Sequence, residues 1–189
     1  LDSWQAAIDT FSTLDYPWMK LIFAGDVLYA PSIASIEQAI QEHPEARLVI
    51  CNYQVIEEYK SWTWRPPGLS STRLLFPDES LHLAAQYGNW FGPPLAQCIH
   101  HAVLHAHPIS RELQWPADAF FCLNIASNHP VLYLDVTVGE FHVKHRRYFS
   151  HSEGRMEAIL EESLFRTRAA DLLLKRRNDL KLHQQLLSA

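Results

Sequence analysis

The chain has 189 residues, of which 48% are apolar and 20% are charged, a composition typical of one globular domain with a sizeable core and unlike that of a disordered chain. Its formal net charge of −5 argues against a general basic surface, so nucleic-acid binding is not expected. No apolar run approaches the ~20 residues that cross a bilayer, and three widely separated cysteines indicate free, buried thiols in a reducing compartment. We therefore expect a cytoplasmic protein.

Apolar periodicity predicts alternating helices and strands in the first third of the chain. A short helix is predicted at residues 3–11, and the apolar run at 19–24 predicts a buried strand that ends at Gly25. A proline-initiated helix over 31–42 and a second strand over 47–56 follow. Strand, helix and strand in this order predict a right-handed parallel crossover.

Residues 57–77 lose this periodicity and combine Trp62 and Trp64 with proline and glycine. A long loop of this kind is typical of a lid or binding segment. The remaining patterns predict helices at 77–87, 95–105 and 118–127, paired short strands at 131–134 and 136–143, and one or two long helices from 153 onward. Together the elements predict an α/β layer with an appended helical arm.

Four motifs follow one another in a fixed order along the chain. A Trp-x-Lys unit, an apolar run, an acid and a proline occupy residues 18–31; a strand containing Tyr53 comes next; Asp118 opens a helix before a pair of apolar strands; and His145 precedes Ser150 by five residues. In this order and spacing, the chain resembles the second half of the family 2 glycosyltransferases of the GT-A fold.

The resemblance implies an organisation and a function. Residues 1–150 would form the central and carboxyl-terminal part of a GT-A-like catalytic domain with a mainly parallel sheet, and residues 151–189 a helical extension. The nucleotide-recognising amino-terminal half is not expected within this chain. The implied activity is inverting transfer of a sugar from a nucleotide-sugar donor to a glycan or lipid-linked acceptor; the alternative is a non-catalytic binding or scaffold module derived from that fold.

Gly25 and Asp26 occupy the position at which the family has paired acids. By resemblance, Asp26 helps to hold a divalent cation, Mn²⁺ or Mg²⁺, that neutralises the diphosphate leaving group. Gly25 permits close approach of a phosphate, but it weakens the metal site, because affinity for a hard cation rises with the number of charged ligands. The alternative is a solvated Asp in a strand-to-helix turn.

Asp118 and His145 complete the chemistry that the resemblance implies. Asp118 would be the general base that takes the proton from the acceptor hydroxyl; alternatively, it caps the helix that follows. His145 would reach the metal or the diphosphate as a neutral imidazole; alternatively, it is a structural histidine.

Three further features carry separate hypotheses. Asn89 and Trp90 resemble the family's acceptor pocket, where a ring and an amide suit a sugar; the alternative is ordinary core. His101 and His105 would share one face of a predicted helix, which leaves a histidine-based metallohydrolase as a third function. Residues 153–187 would either dock on the protein or on a second copy, or rest on an anionic membrane surface.

Overall fold

The chain folds into a mixed β-sheet with helices on both faces. The computed structural model describes residues 2–104, 106, 117–143 and 152–187, with side chains described for 5–104, 106, 117–143 and 159–178. The helices are α1 (Asp2–Phe11), α2 (Ala30–Glu42), α3 (Pro77–Tyr87), α4 (Ala117–Ala126) and α5 (Ser152–Leu187). The strands are β1 (Trp18–Met19), β2 (Val27–Leu28), β3 (Leu48–Ile56), β4 (Ser61–Trp64), β5 (Arg73–Leu75), β6 (Gln97–His100) and β7 (Val131–His142).

The sheet is built around the parallel pair β3 and β7. Its order is β1-β6-β3-β7-β2, with β4 beside the second half of β3 and β5 beside the first half of β7. Within the described chain, β3 and β7 are the one parallel pairing, and the other five pairings are antiparallel. The predicted α/β class is therefore confirmed, whereas a mainly parallel sheet is not, because the sheet is mixed.

Alternating residues of β3 point into two separate cores. Leu48 and Ile50 belong to the first core, which joins the sheet to α1, α3, α4 and α5. Val49 and Cys51 belong to the second core, which joins the opposite face of the sheet to α2. All four side chains are fully buried. This two-sided burial explains why the strand is a near-continuous apolar run, as central parallel strands usually are.

Five predicted helices and the central strand are confirmed with boundaries close to those expected. In α2, the apolar stripe that includes Ile36 and Ala39 packs into the second core. In α5, the buried residues Phe165, Ala169 and Leu173 are spaced four apart and pack into the first core beside α3. Each helix formed where its sequence carried an apolar face for one of the two cores.

The strand predicted at 19–24 is wrong beyond Met19. After β1 the chain is extended but unpaired, and Leu21 and Phe23 pack against the first core. The chain then turns at Gly25, whose φ is 95°, and enters β2 beside β7. Asp26 thus precedes a short edge strand and does not end a buried one.

Three other predictions are corrected by the sheet. Residues 97–100 form β6, between two short 3-10 turns, where a helix was predicted over 95–105, because Cys98 and Ile99 fill the two opposite cores between β1 and β3. The predicted loop 57–77 contains β4 and β5, and Trp64 of β4 stacks on Tyr53 with ring centroids 4.9 Å apart. The predicted strand pair at 131–143 is one continuous strand, β7.

Candidate functional site

Asp26 lies in a tight turn that rests on the first core. Its backbone N–H donates to the Phe23 carbonyl at 3.0 Å, and Phe23 packs against that core. The positive φ of Gly25 makes this turn possible, since residues with a Cβ rarely adopt it. The carboxylate atom Oδ2 of Asp26 is shielded from solvent. The turn therefore holds a carboxylate at the margin of the layer formed by α1, α3, α4 and α5.

Asp118 lies in the first turn of α4. Its Oδ1 accepts a hydrogen bond from the Ala119 N–H at 2.8 Å, one of the N–H groups at the start of a helix that have no carbonyl partner within the helix. Ala117 and Ala119 on either side belong to the first core, and Asp118 itself is half-buried. Asp26 and Asp118 thus both flank residues of one hydrophobic layer.

Trp90 is a core residue in this structure. Its side chain is 0% exposed, its indole N–H donates to the Ser80 carbonyl at 3.1 Å, and its ring lies 4.5 Å from that of Phe91. Asn89 accepts a hydrogen bond from the Phe91 N–H at 3.2 Å. The expectation that Trp90 offers a stacking surface to a sugar is not supported, because neither face of the ring reaches solvent; the core alternative describes it.

Of the histidines predicted to bind metal, His101 lies among the described residues. His145 and His105 lie outside the described residues. His101 is in a 3-10 turn after β6, with its ring 5.8 Å from that of Phe11, and not in the α-helix predicted over 95–105. Across the part of the chain with described side chains, no three His, Cys, Asp or Glu residues are grouped to hold a metal ion.

The Asp26 carboxylate is a suitable ligand for a cation that binds together with a phosphate-containing substrate. Mg²⁺ and Mn²⁺ prefer hard oxygen ligands, and Mg²⁺ is commonly held by one or two carboxylates together with phosphate oxygens and water. Asp26 offers one such carboxylate in a turn with fixed backbone geometry. Because Gly25 replaces a second acid, such a site would depend on oxygens from a bound diphosphate.

A buried polar cluster that the sequence did not reveal interrupts the pairing of β3 and β7. Asn52 is 1% exposed and lies at two register shifts between these strands. Its Nδ2 donates to Oδ1 of Asp135 at 2.7 Å, and the Tyr133 hydroxyl donates to Oδ1 of Asn52 at 3.0 Å. Burial raises the pKa of Tyr133, and the charge of Asp135 raises it further, so the phenol remains a donor at neutral pH.

A second polar chain lies where β2 meets β7. The Tyr29 hydroxyl donates to Oε1 of Glu140 at 3.0 Å, and Nε2 of His142 lies 2.9 Å from Oε2 of the same carboxylate. Desolvation, and then the hydrogen bond to Glu140 and its charge, raise the pKa of Tyr29. Glu140 pairs with Val27 across the strands, so these hydrogen-bonded side chains lie beside the residue that follows Asp26.

The three cysteines are free and buried, as predicted. Burial raises the pKa of Cys51 to about 12 and that of Cys98 to about 11. The nearby Lys20 ammonium donates to the carbonyls of Leu95 and Gln97 at 2.6 and 3.3 Å. These thiols are inert packing groups at neutral pH, because the thiolate is the reactive form.

Comparison with protein-family models and with curated proteins finds no match for this chain. Any function must therefore be inferred from the chain's own residues. Over the described residues, none of the helices combines the length and the apolar character needed to cross a membrane.

Proposed function

We propose that the chain is the acceptor-side portion of an inverting glycosyltransferase of the GT-A type, which moves a sugar from a nucleotide-sugar donor to a glycan or lipid-linked acceptor. The observation that supports this proposal is that two acids each lie next to residues of the first core. The Asp26 turn and the first turn of α4, with Asp118, both border the first core. Single-displacement transfer requires a donor-side carboxylate and an acceptor-side base that face one cleft, and the proposal assigns these roles to Asp26 and Asp118.

In the proposed reaction, Asp118 accepts the proton of the acceptor hydroxyl while that oxygen attacks the anomeric carbon from the face opposite the diphosphate. The new carbon–oxygen bond forms as the bond to the diphosphate breaks, and the leaving group departs with the electron pair. A divalent cation, when bound, would neutralise the charge that develops on the diphosphate. Asp26 and, by resemblance, His145 would hold it.

The remaining parts of the proposal concern the surroundings of the site. We place the protein in the cytoplasm, in keeping with three buried free thiols. The outer face of α5 exposes several apolar side chains, Ile159, Leu160, Leu164 and Leu174. Such a face suits either contact with a second copy or peripheral contact with a membrane.

A second candidate function is a non-catalytic binding or scaffold module derived from the same fold. Gly25 favours it, because one carboxylate in place of two weakens a metal-dependent donor site. The burial of Trp90 also favours it, since that ring is not open to an acceptor sugar. The two candidates differ in one property: a scaffold module does not need the Asp118 carboxylate to accept a proton.

The test is sugar transfer by the natural protein carrying Asp118→Asn. An Asn side chain still accepts the hydrogen bond from the Ala119 N–H, so the start of α4 is retained. We expect transfer from a panel of radiolabelled nucleotide sugars to be abolished while donor binding is nearly unaltered, because the base acts only on the acceptor proton. Asp171→Asn on the exposed face of α5 is the matched control. Equal transfer by the Asp118 variant would remove this residue from the mechanism.

A further inference from the structure

Asp135 is partly exposed, and several polar contacts fix its position. Its Oδ1 accepts a hydrogen bond from Asn52 Nδ2 at 2.7 Å and lies 3.2 Å from Nη1 of Arg65. It also lies 3.3 Å from the Tyr133 hydroxyl, whose one hydrogen it shares with Oδ1 of Asn52. Its backbone N–H donates to Oγ1 of Thr72 at 3.0 Å. Contacts from two strands and the β4–β5 connection therefore fix a single carboxylate.

Placing these polar groups inside the sheet costs desolvation free energy. Asn52 and Tyr133 are 1% and 0% exposed, so their polar groups must be fully satisfied within the protein. The register of β3 and β7 also shifts twice around Asn52, and bulges of this kind often redirect a side chain beside a functional site. Apolar residues at the same positions would pack into the first core without such a network.

The outer part of the cluster, Arg65 and Asp135, is exposed to solvent and carries no net charge. The side chains of Arg65 and Asp135 are 52% and 27% exposed. The hydrogen bonds to Asp135 go to Oδ1, and no side chain in the described structure donates to its Oδ2. A carboxylate beside a guanidinium carries no net charge, so the pair favours a neutral ligand over an anion or a cation. It offers one acceptor oxygen next to several N–H donors.

We propose that Asp135 and Arg65 form a binding site for the vicinal hydroxyl groups of a neutral sugar. One hydroxyl donates to Oδ2 of Asp135, and the oxygen of its neighbour accepts from the Arg65 guanidinium. Asn52 and Tyr133 are positioning residues that orient the carboxylate. The inference rests on the proposed function only in identifying this sugar as part of the acceptor, since binding of a polyol requires no transfer.

Saturation-transfer NMR with three probes, the methyl α-glycosides of glucose, galactose and mannose, tests the site. We expect at least one neutral glycoside to bind wild-type protein, and glucuronate and glucosamine to bind no more tightly. Asp135→Asn and Arg65→Gln should each weaken binding at least about tenfold, because each removes a hydrogen bond that involves a charged group. Arg65 is half-exposed, so its variant remains informative if the Asp135 variant does not fold.

The control is Asp171→Asn, which makes the same change of charge on an exposed helix face and should leave binding unchanged. Tyr133→Phe tests the positioning role: it should weaken binding and also shift the carboxyl ¹³C resonance of Asp135, which a purely structural loss would not move selectively. Absence of saturation transfer to all three glycosides, preference for a charged sugar, or unaltered binding by both Asp135→Asn and Arg65→Gln would overturn the inference. Loss of transfer in Asp118→Asn with glycoside binding intact separates this site from the catalytic proposal.

Discussion

Replacement of Trp90 by alanine tests whether this residue stabilises the core or provides a surface on which a sugar stacks. The side chain is 0% exposed, packs on Phe91 at 4.5 Å and donates to the Ser80 carbonyl. Large-to-small changes at such aromatic positions cost about 3–5 kcal/mol, because a cavity remains, and the indole hydrogen bond to Ser80 is lost as well. The cavity term alone corresponds to a fall in Tm of roughly 6–20 °C for a domain of this size.

The assay is urea denaturation followed by far-UV circular dichroism, with saturation-transfer NMR on the same samples. Trp62→Ala is the matched control, since Trp62 is 43% exposed on β4 and its replacement should cost about 1 kcal/mol or less. If Trp90→Ala does not fold, Trp90→Phe provides a smaller loss in the same direction. A Trp90→Ala protein that is destabilised by less than about 1 kcal/mol but no longer binds glycosides would refute the core assignment and restore the platform.

Three further predictions follow from the packing and from the pKa values. At about pH 8, Cys51 should react with a disulfide reagent at least about tenfold more slowly in the native than in the unfolded chain, because burial raises its pKa to about 12 and leaves less of the reactive thiolate. Since the native thiol holds its proton more tightly, the stability of the fold should fall as pH rises from 9 to 12. Reaction at the unfolded rate would contradict the burial of Cys51. Gly139→Ala should cost about 1–3 kcal/mol in urea denaturation, because the new Cβ would lie 2.0 Å from the Val27 carbonyl; unchanged stability would show that β2 does not approach β7 so closely. Glu140→Gln should lower the pKa of Tyr29, seen by NMR titration, without restoring its ordinary value, because desolvation is the largest cause of its rise; an unshifted pKa would exclude the hydrogen bond.

Helices such as α2 were predictable from this sequence because they carry their own apolar stripe. The spacing of Ile36 and Ala39, for example, both defines α2 and gives the face that it buries. β6 was not predictable in the same way: Cys98 and Ile99 are both buried, on opposite faces of the sheet. Periodicity alone does not distinguish a four-residue strand buried on both faces from a helical segment.

The candidate site was partly predictable, for a related reason. Asp26 and Asp118 stand out in the sequence because each lies close to the start of an element, β2 for Asp26 and α4 for Asp118. Local sequence patterns are informative at such boundaries. Asn52 and Asp135 are 83 residues apart, and only the parallel pairing of β3 with β7 brings them together. The one local signal was an asparagine at a position that continues the inward alternation of Leu48 and Ile50. Tertiary pairing of this kind has no signature in a single segment.

Isothermal titration calorimetry of the natural protein with a nucleoside diphosphate and Mn²⁺ tests most directly whether the Asp26 turn is a donor site. We expect UDP or GDP to bind in a Mn²⁺-dependent manner, Asp26→Ala to weaken that binding at least about tenfold, and Asp15→Ala in the exposed turn before β1 to leave it unchanged. Binding of neither nucleotide, or equal affinity of the wild type and Asp26→Ala, would contradict the glycosyltransferase proposal.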